Sequence, residues 1–290
     1  MTTHSNVRSD KVKLVLKRLS ELPTLPAALY QMLDALSNPK LSMARISRIV
    51  SQDPALTSKM LKLANSPYYG FQKEVRSVEH AMVLLGVETV KALALGVSIF
   101  NTFHDSSDLA GINKAGLWTH FLAVAFCAKE LASVIDASEP DAAFTSGLIH
   151  DIGRLALLRL FPSESVAVVE AIEDGALSLV EAEERAFGLD HQAAGSFLAK
   201  TWSLPDDLQD AIALHHDRIA LEKGDLVGAV YLAEKVCKLR GLGWTGEVSV
   251  PDITVEELTQ FHMTSDQLKE VEERLMEKEP EFDEFFNSVW

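Results

Sequence analysis

The chain has 290 residues, 47% of them hydrophobic, enough to bury a sizeable core and too apolar for wholesale disorder. Its net charge of −15 is unevenly placed: residues 1–105 carry 13 Lys and Arg against 8 Asp and Glu, and residues 106–290 carry 14 against 34. The acidic total argues against general nucleic-acid binding, and the asymmetry points to two lobes with unlike surfaces. Cys127 and Cys237 both lie in apolar helical contexts. They read as reduced core residues of a cytoplasmic protein rather than as a disulfide. The N-terminus lacks the apolar run of a signal peptide. The longest apolar stretch, Ala81 to Phe100, is broken by Glu88 and Lys91, so no membrane span is expected.

Residues 1–9 are polar and are expected to fray. Val12, Val15, Leu16 and Leu19 then recur with a helical period over Asp10 to Leu19. Leu22-Pro23-Thr24-Leu25-Pro26 breaks that helix, and Pro26 suits the first position of the next, to about Leu36. Ser42 is placed to cap a helix through Val50, and Asp53-Pro54 to start another to Asn65. Ser66 to Gly70 reads as a loop. Ser77 caps a helix ending near Gly86, and Glu88 begins one reaching Phe103. Helices 42–50 and 54–65 have a helix-turn-helix outline with Arg45, Arg48, Lys59 and Lys62 nearby. Consecutive short helices are common in any bundle and basic residues usually form a solvated face, so DNA reading is not the expectation.

The polar loop His104 to Lys114 marks the expected lobe boundary. Helices are predicted at about 115–135, 140–149, 152–160, 163–173, 178–187, 191–201, 206–216 and 225–240, then an irregular 241–251. Short helices follow near 254–260 and 265–276, the second reaching as far as 286. The acidic run Glu270 to Glu284 reads as a solvated helix that Phe282, Phe285, Phe286 and Trp290 could anchor. No segment alternates with period two. The fold class is all-α, a multi-helix domain with an additional N-terminal helical lobe. The organisation expected is an N-terminal helix over 1–17, the N-terminal lobe over 18–105, a metal-site lobe over 106–240 and an acidic tail over 241–290.

The stretch Gly147-Leu148-Ile149-His150-Asp151-Ile152-Gly153-Arg154 is the centre of this pattern. A buried carboxylate without a partner costs several kcal/mol, and a divalent metal satisfies imidazole and carboxylate together. His120, His191, His215, His216 and Glu234 lie on successive helical elements around the pair, each among small or apolar residues. Singly, each has an ordinary explanation. His120 suits a hydrogen-bonded core, His191 a cap, and His215-His216 the negative end of a helix. Glu234 suits the surface. Together they resemble the way facing helices of a bundle hold metal. Such a set suits one or two ions of Fe, Mn, Zn or Co and does not choose among them.

Residues 115–240 also resemble the HD superfamily of metal-dependent phosphohydrolases, with His120 followed by His150-Asp151. His191-Gln192-Ala193-Ala194-Gly195, Trp202-Ser203-Leu204-Pro205 and His215-His216 are similar to the HD-GYP branch, which can hold two or three metals. The N-terminal part resembles the HDOD module, a regulatory relative. The likeness is carried by Leu22 to Pro26, Ser51-Gln52-Asp53-Pro54-Ala55-Leu56, Asn65 to Gly70 and Ala81 to Val87. The two likenesses span about residues 18–240 as one HDOD unit.

The departures from catalytic relatives are specific. Arg154 stands where those enzymes tend to carry Lys, Asp217-Arg218-Ile219 replaces a Gly-Tyr-Pro loop, Glu234 stands for the last Asp ligand, and Gly116 offers no third carboxylate. Cyclic di-GMP phosphodiesterase activity is therefore not expected. The resemblance implies a metal-binding signalling module that acts on a protein partner. The alternative is a phosphohydrolase, in which Asp151 would serve the reacting centre and Arg154 would clamp a phosphate ester bidentately.

Overall fold

Proline and short polar caps set most of the helix starts. The computed structural model describes residues 2–22, 31, 42–65, 69–103, 113–175, 177–244, 246 and 252–289. These form α1 (Thr2–Ser20), α2 (Met43–Ser51), α3 (Pro54–Ala64), α4 (Val78–Leu85), α5 (Val87–Phe103) and α6 (Lys114–Val134). Next come α7 (Pro140–Ile149), α8 (Ile152–Leu160), α9 (Pro162–Glu173), α10 (Leu179–Phe187), α11 (His191–Thr201) and α12 (Asp206–Leu214). A 3₁₀ turn (Arg218–Glu222), α13 (Asp225–Arg240), α14 (Val255–Gln260) and α15 (Ser265–Val289) complete the described chain. No strand occurs among the described residues, and the all-α class holds.

Asp53 accepts from the N–H groups of Ala55 and Leu56, so α3 opens with a cap and Pro54 in its first turn. Ser178 and Glu181 form a reciprocal capping box on α10, which Gly188 ends at φ 86°. The helix expected over Pro26 to Leu36 and most of the loops at 66–70 and 104–114 lie outside the described residues. Two boundaries differ from expectation. α1 begins at Thr2 rather than near Asp10, because neither Gly nor Pro interrupts residues 2–10. α12 stops at Leu214, where the His215 ring takes the Ile212 carbonyl in a hydrogen bond of 2.9 Å.

α6 is the axis of the molecule. It is Ala-rich and almost wholly buried, and α7, α13 and α15 pack around it. By length and composition it could cross a membrane, but most of its apolar window is enclosed by the other helices. α5, buried from Thr89 to Ile99, packs on α7, α8, α3 and α4. One continuous core runs from Val15 in α1 to Phe282 in α15. The first helix packs on α8, α10 and α11, with the Arg18 guanidinium on the Leu160 carbonyl and over the Phe161 ring. The acidic tail is docked: Val271, Leu275 and Phe282 are buried, and Phe282 stacks on Phe126 at 5.7 Å.

Candidate metal centre

Five helical elements converge beside α6. His120 comes from the second turn of that helix, and His150 and Asp151 from the turn between α7 and α8. His191 is the first residue of α11, whose start is fixed by Asp190 capping the Ala193 N–H. His215 and His216 follow α12, and Glu234 lies in the middle of α13. The structure thus gathers all seven of the residues singled out for metal binding. Six are 3% exposed or less, and the His216 side chain is 18% exposed.

They form two clusters of ligand-type atoms, His120–His150–Asp151 and His191–His215–His216, with the atoms of each within 4.8 Å of one another. Asp151 lies between them. Its Oδ2 is 3.7 Å from His150 Nε2, and its Oδ1 is 3.4 Å from both His191 Nε2 and His215 Nε2. Glu234 faces the first cluster with Oε2, 2.8 Å from His120 Nε2 and 3.5 Å from His150 Nε2. Its Oε1 faces the Lys238 ammonium at 3.0 Å and His216 Nδ1 at 3.8 Å.

The outer hydrogen bonds decide which ring nitrogens face inward as acceptors. A backbone carbonyl only accepts, so Nδ1 carries the proton in His120 (on Leu242 O, 3.3 Å), His150 (on Gly147 O, 2.6 Å) and His215 (on Ile212 O, 2.9 Å). His191 Nδ1 donates to Glu183 Oε2 at 2.5 Å, and the same carboxylate oxygen accepts the His191 backbone N–H. In the neutral rings each Nε2 is then a bare lone pair. Those of His191 and His215 are 3.1 Å apart, and His216 Nε2, in a ring whose tautomer no outer carbonyl among the described residues fixes, is 3.0 Å from His191 Nε2. His120 Nε2, His150 Nε2, Asp151 Oδ1 and Glu234 Oε2 are buried without an aligned hydrogen-bond donor. Acceptors facing acceptors require a cation or extra protons between them. The donor set, imidazole nitrogen with carboxylate oxygen, fits a first-row divalent ion, and the outer acceptors supply the orientation such ligands need.

The titration pattern follows from the same packing. Burial pushes the Asp151 and Glu234 carboxyls up, but the imidazoles around Asp151, and Lys238 and His120 beside Glu234, hold both well below the usual range. Burial lowers His215 to about 4 and also depresses His216. Burial lowers His191 as well, but the Glu183 and Asp151 carboxylates outweigh it and raise that ring to about 9. A proton on His191 therefore stabilises the metal-free fold fully below the ordinary histidine pKa of about 6.5. That contribution is lost as pH rises through about 9. A metal must displace this proton. Burial lowers His150 too, but the Asp151 and Glu234 carboxylates outweigh it and raise that ring. Binding at pH 7.5 is therefore expected to release protons from the histidines, and at pH 10 almost none from the His191 ring, as read by titration calorimetry in buffers of different ionisation enthalpy. His191→Asn should reduce the release at pH 7.5; an undiminished release in that variant, at equal metal uptake, would refute the assignment.

Arg154, the candidate phosphate clamp, is buried. It is 3% exposed, with Nη1 3.8 Å from Asp151 Oδ2 and its guanidinium over the Trp244 ring at 5.2 Å. Sequence reasoning also passed over Glu183, Lys238, Leu242 and Trp244. For Glu183 a signal existed: Leu179, Ala182, Glu183 and Ala186 form one helical stripe, so this carboxylate falls on the apolar face. The seven candidate ligands are on α6 and later elements. The 42–65 segment contributes none of them.

The HDOD domain family model matches residues 22–218. An HDOD domain protein of unknown function from Geobacter sulfurreducens has a similar structure, at 25% identity and TM-score 0.78, covering 97% of this chain and 99% of that one. A Shewanella amazonensis protein provisionally assigned as a phosphohydrolase aligns at 24% identity and TM-score 0.75, covering 95% and 98%. A Marinobacter aquaeolei protein provisionally assigned to signal transduction aligns at 21% and TM-score 0.83, covering 98% of this chain and 66% of that one. An uncharacterised Treponema pallidum protein is 24% identical over 201 residues, and the matched region spans 38% of its length.

Proposed function

The chain belongs to the HDOD family, and from that premise we propose that it is a bacterial signalling module whose buried divalent metal centre stabilises and reports the state of a protein-binding body. The closure of the centre carries this reading. Structural metal sites are closed, whereas catalytic ones keep an open position for water and substrate. Here every candidate ligand except His216 is 3% exposed or less, and Arg154 is covered by the Trp244 ring. α6, which carries His120, also packs against the tail helix α15, which would link occupancy of the centre to the outer face of the tail. The two free buried cysteines suit a reducing cytoplasm.

One observation favours a second reading, a metal-dependent phosphohydrolase. Asp151 stands between two ligand clusters, the layout that two-metal sites use to clamp a phosphate ester. Divalent ions there would supply Lewis acidity toward a water and the phosphate oxygens. Arg154, once uncovered, would bind a phosphoryl oxygen bidentately, and Glu183 would keep the proton on His191 Nδ1. The test is turnover of p-nitrophenyl phosphate and bis(p-nitrophenyl) phosphate by protein loaded with Mn, Fe or Zn. The signalling reading expects no turnover above free metal. Turnover that disappears in His150→Ala, with the helical circular-dichroism signal intact, would replace it with the hydrolase.

A further inference from the structure

Beyond α13 the chain turns back across the centre as a short strap, Leu242-Gly243-Trp244. Gly241, in the left-handed conformation at φ 66°, ends α13 and makes the reversal. Gly243 has φ 78° and lies flat on α6: a Cβ there would sit 2.3 Å from the His120 backbone nitrogen and 2.5 Å from the Gly116 carbonyl. No side chain fits at that crossing. The Trp244 N–H donates to the Gly116 carbonyl at 2.8 Å, which pins the strap to the first turn of α6. The Leu242 carbonyl accepts from His120 Nδ1, and the Trp244 ring lies over the Arg154 guanidinium. Arg154 in turn faces Asp151. The strap therefore touches the His120–His150–Asp151 cluster directly at His120 and reaches Asp151 only through Arg154, and it lies beyond the residues matched by the family model.

We propose that this strap is the gate of the centre, with Trp244 the positioning residue that closes it over Arg154 and the Leu242 carbonyl the contact that sets His120 as a ligand. The inference rests on the metal-centre reading above. Its physical logic is that two functions share one segment. The carbonyl keeps His120 Nε2 aimed at Glu234 and His150, and the ring two residues later covers Arg154, which faces Asp151 of the same cluster. Opening the strap would uncover Arg154 and loosen His120 together, so entry of an ion or anion and ligand orientation are coupled.

The first experiment needs no metal. Chelator-treated protein is labelled with diethylpyrocarbonate, and the rate at His120 is measured by mass spectrometry relative to exposed His262. Trp244→Ala keeps the backbone hydrogen bond to Gly116 and should raise the relative rate at His120 at least tenfold. Trp244→Phe, which restores a ring over Arg154, should return it to near the wild-type rate. If Trp244→Ala does not fold, Trp244→Leu keeps apolar volume without the aromatic face and should show the same rise. A relative rate unchanged in the ring-less variant overturns the gate. The second arm follows release of bound Zn to a colorimetric chelator, which should quicken at least tenfold in Trp244→Ala at unchanged stoichiometry. Wild-type protein that takes up no Zn would sink the metal-centre reading, and the labelling arm would still decide the gate.

Discussion

Asp151→Asn is expected to leave the protein without bound metal. Elemental analysis of wild-type protein, purified without added metal or chelator, should find about one or two equivalents of Fe, Mn, Zn or Co. The variant should hold almost none. The reason is positional: Oδ2 faces His150, while Oδ1 faces His191 and His215, so one carboxylate serves both clusters. The amide conserves shape but replaces an anionic oxygen by a donor or a neutral acceptor. The loss should exceed the roughly 10–100-fold effect of disturbing an outer partner such as Glu183. Thermal unfolding gives a second readout. Metal at 100 times its dissociation constant adds about 2.7 kcal/mol to the folded state, so it should raise the wild-type midpoint and leave that of Asp151→Asn unmoved. Equal metal content in the two proteins would mean that the clusters are packing features.

Most of the site could be read from the chain because its signals were chemical as well as periodic. Histidines in apolar segments are informative: His120 and His150 each interrupt runs that otherwise read as core, whereas His191, between Asp190 and Gln192, was singled out only together with the others. Glu234, followed by Lys235, reads alone as a surface charge; the resemblance to the HD pattern singled it out, and the fold buries it in the middle of α13. The residues passed over act through other residues or through the backbone. Leu242 contributes a carbonyl, which its side-chain identity does not announce. Trp244 follows two positive-φ glycines, and only the folded path brings it across about ninety residues to Arg154. The tail helix was ambiguous in the sequence because over residues 265–289 its charged residues outnumber its apolar ones. Phe282 decides the matter by stacking on Phe126, a contact between distant segments that local pattern does not contain.

Gly153→Ala should be the most damaging one-carbon change in the helices that carry the candidate ligands. Gly153 lies in the first turn of α8 where α11 crosses it, opposite Gly195. An added Cβ would stand 1.9 Å from the His191 carbonyl oxygen and 2.4 Å from the Gly195 nitrogen. Both are backbone atoms, so no rotamer change relieves the clash and the helices must separate. Overpacking a core by a methyl costs about 1–3 kcal/mol, and a backbone collision belongs at or above the top of that range. The functional consequence is sharper than the stability loss. Asp151 precedes α8 and His191 opens α11, so separation there widens the 3.4 Å gap between them. Gly195→Ala is the control. Its Cβ would meet the Ile212 Cγ2 methyl at 2.7 Å, which can rotate away, and the Gly153 nitrogen only at 3.3 Å. Urea unfolding should place Gly195→Ala within about 1 kcal/mol of wild type and Gly153→Ala about 3 kcal/mol below it. Metal content should fall in Gly153→Ala and persist in Gly195→Ala. Equal losses in both would mean that the close helix crossing does not set the ligand spacing, and that the glycine after His150-Asp151-Ile152 serves the backbone turn alone.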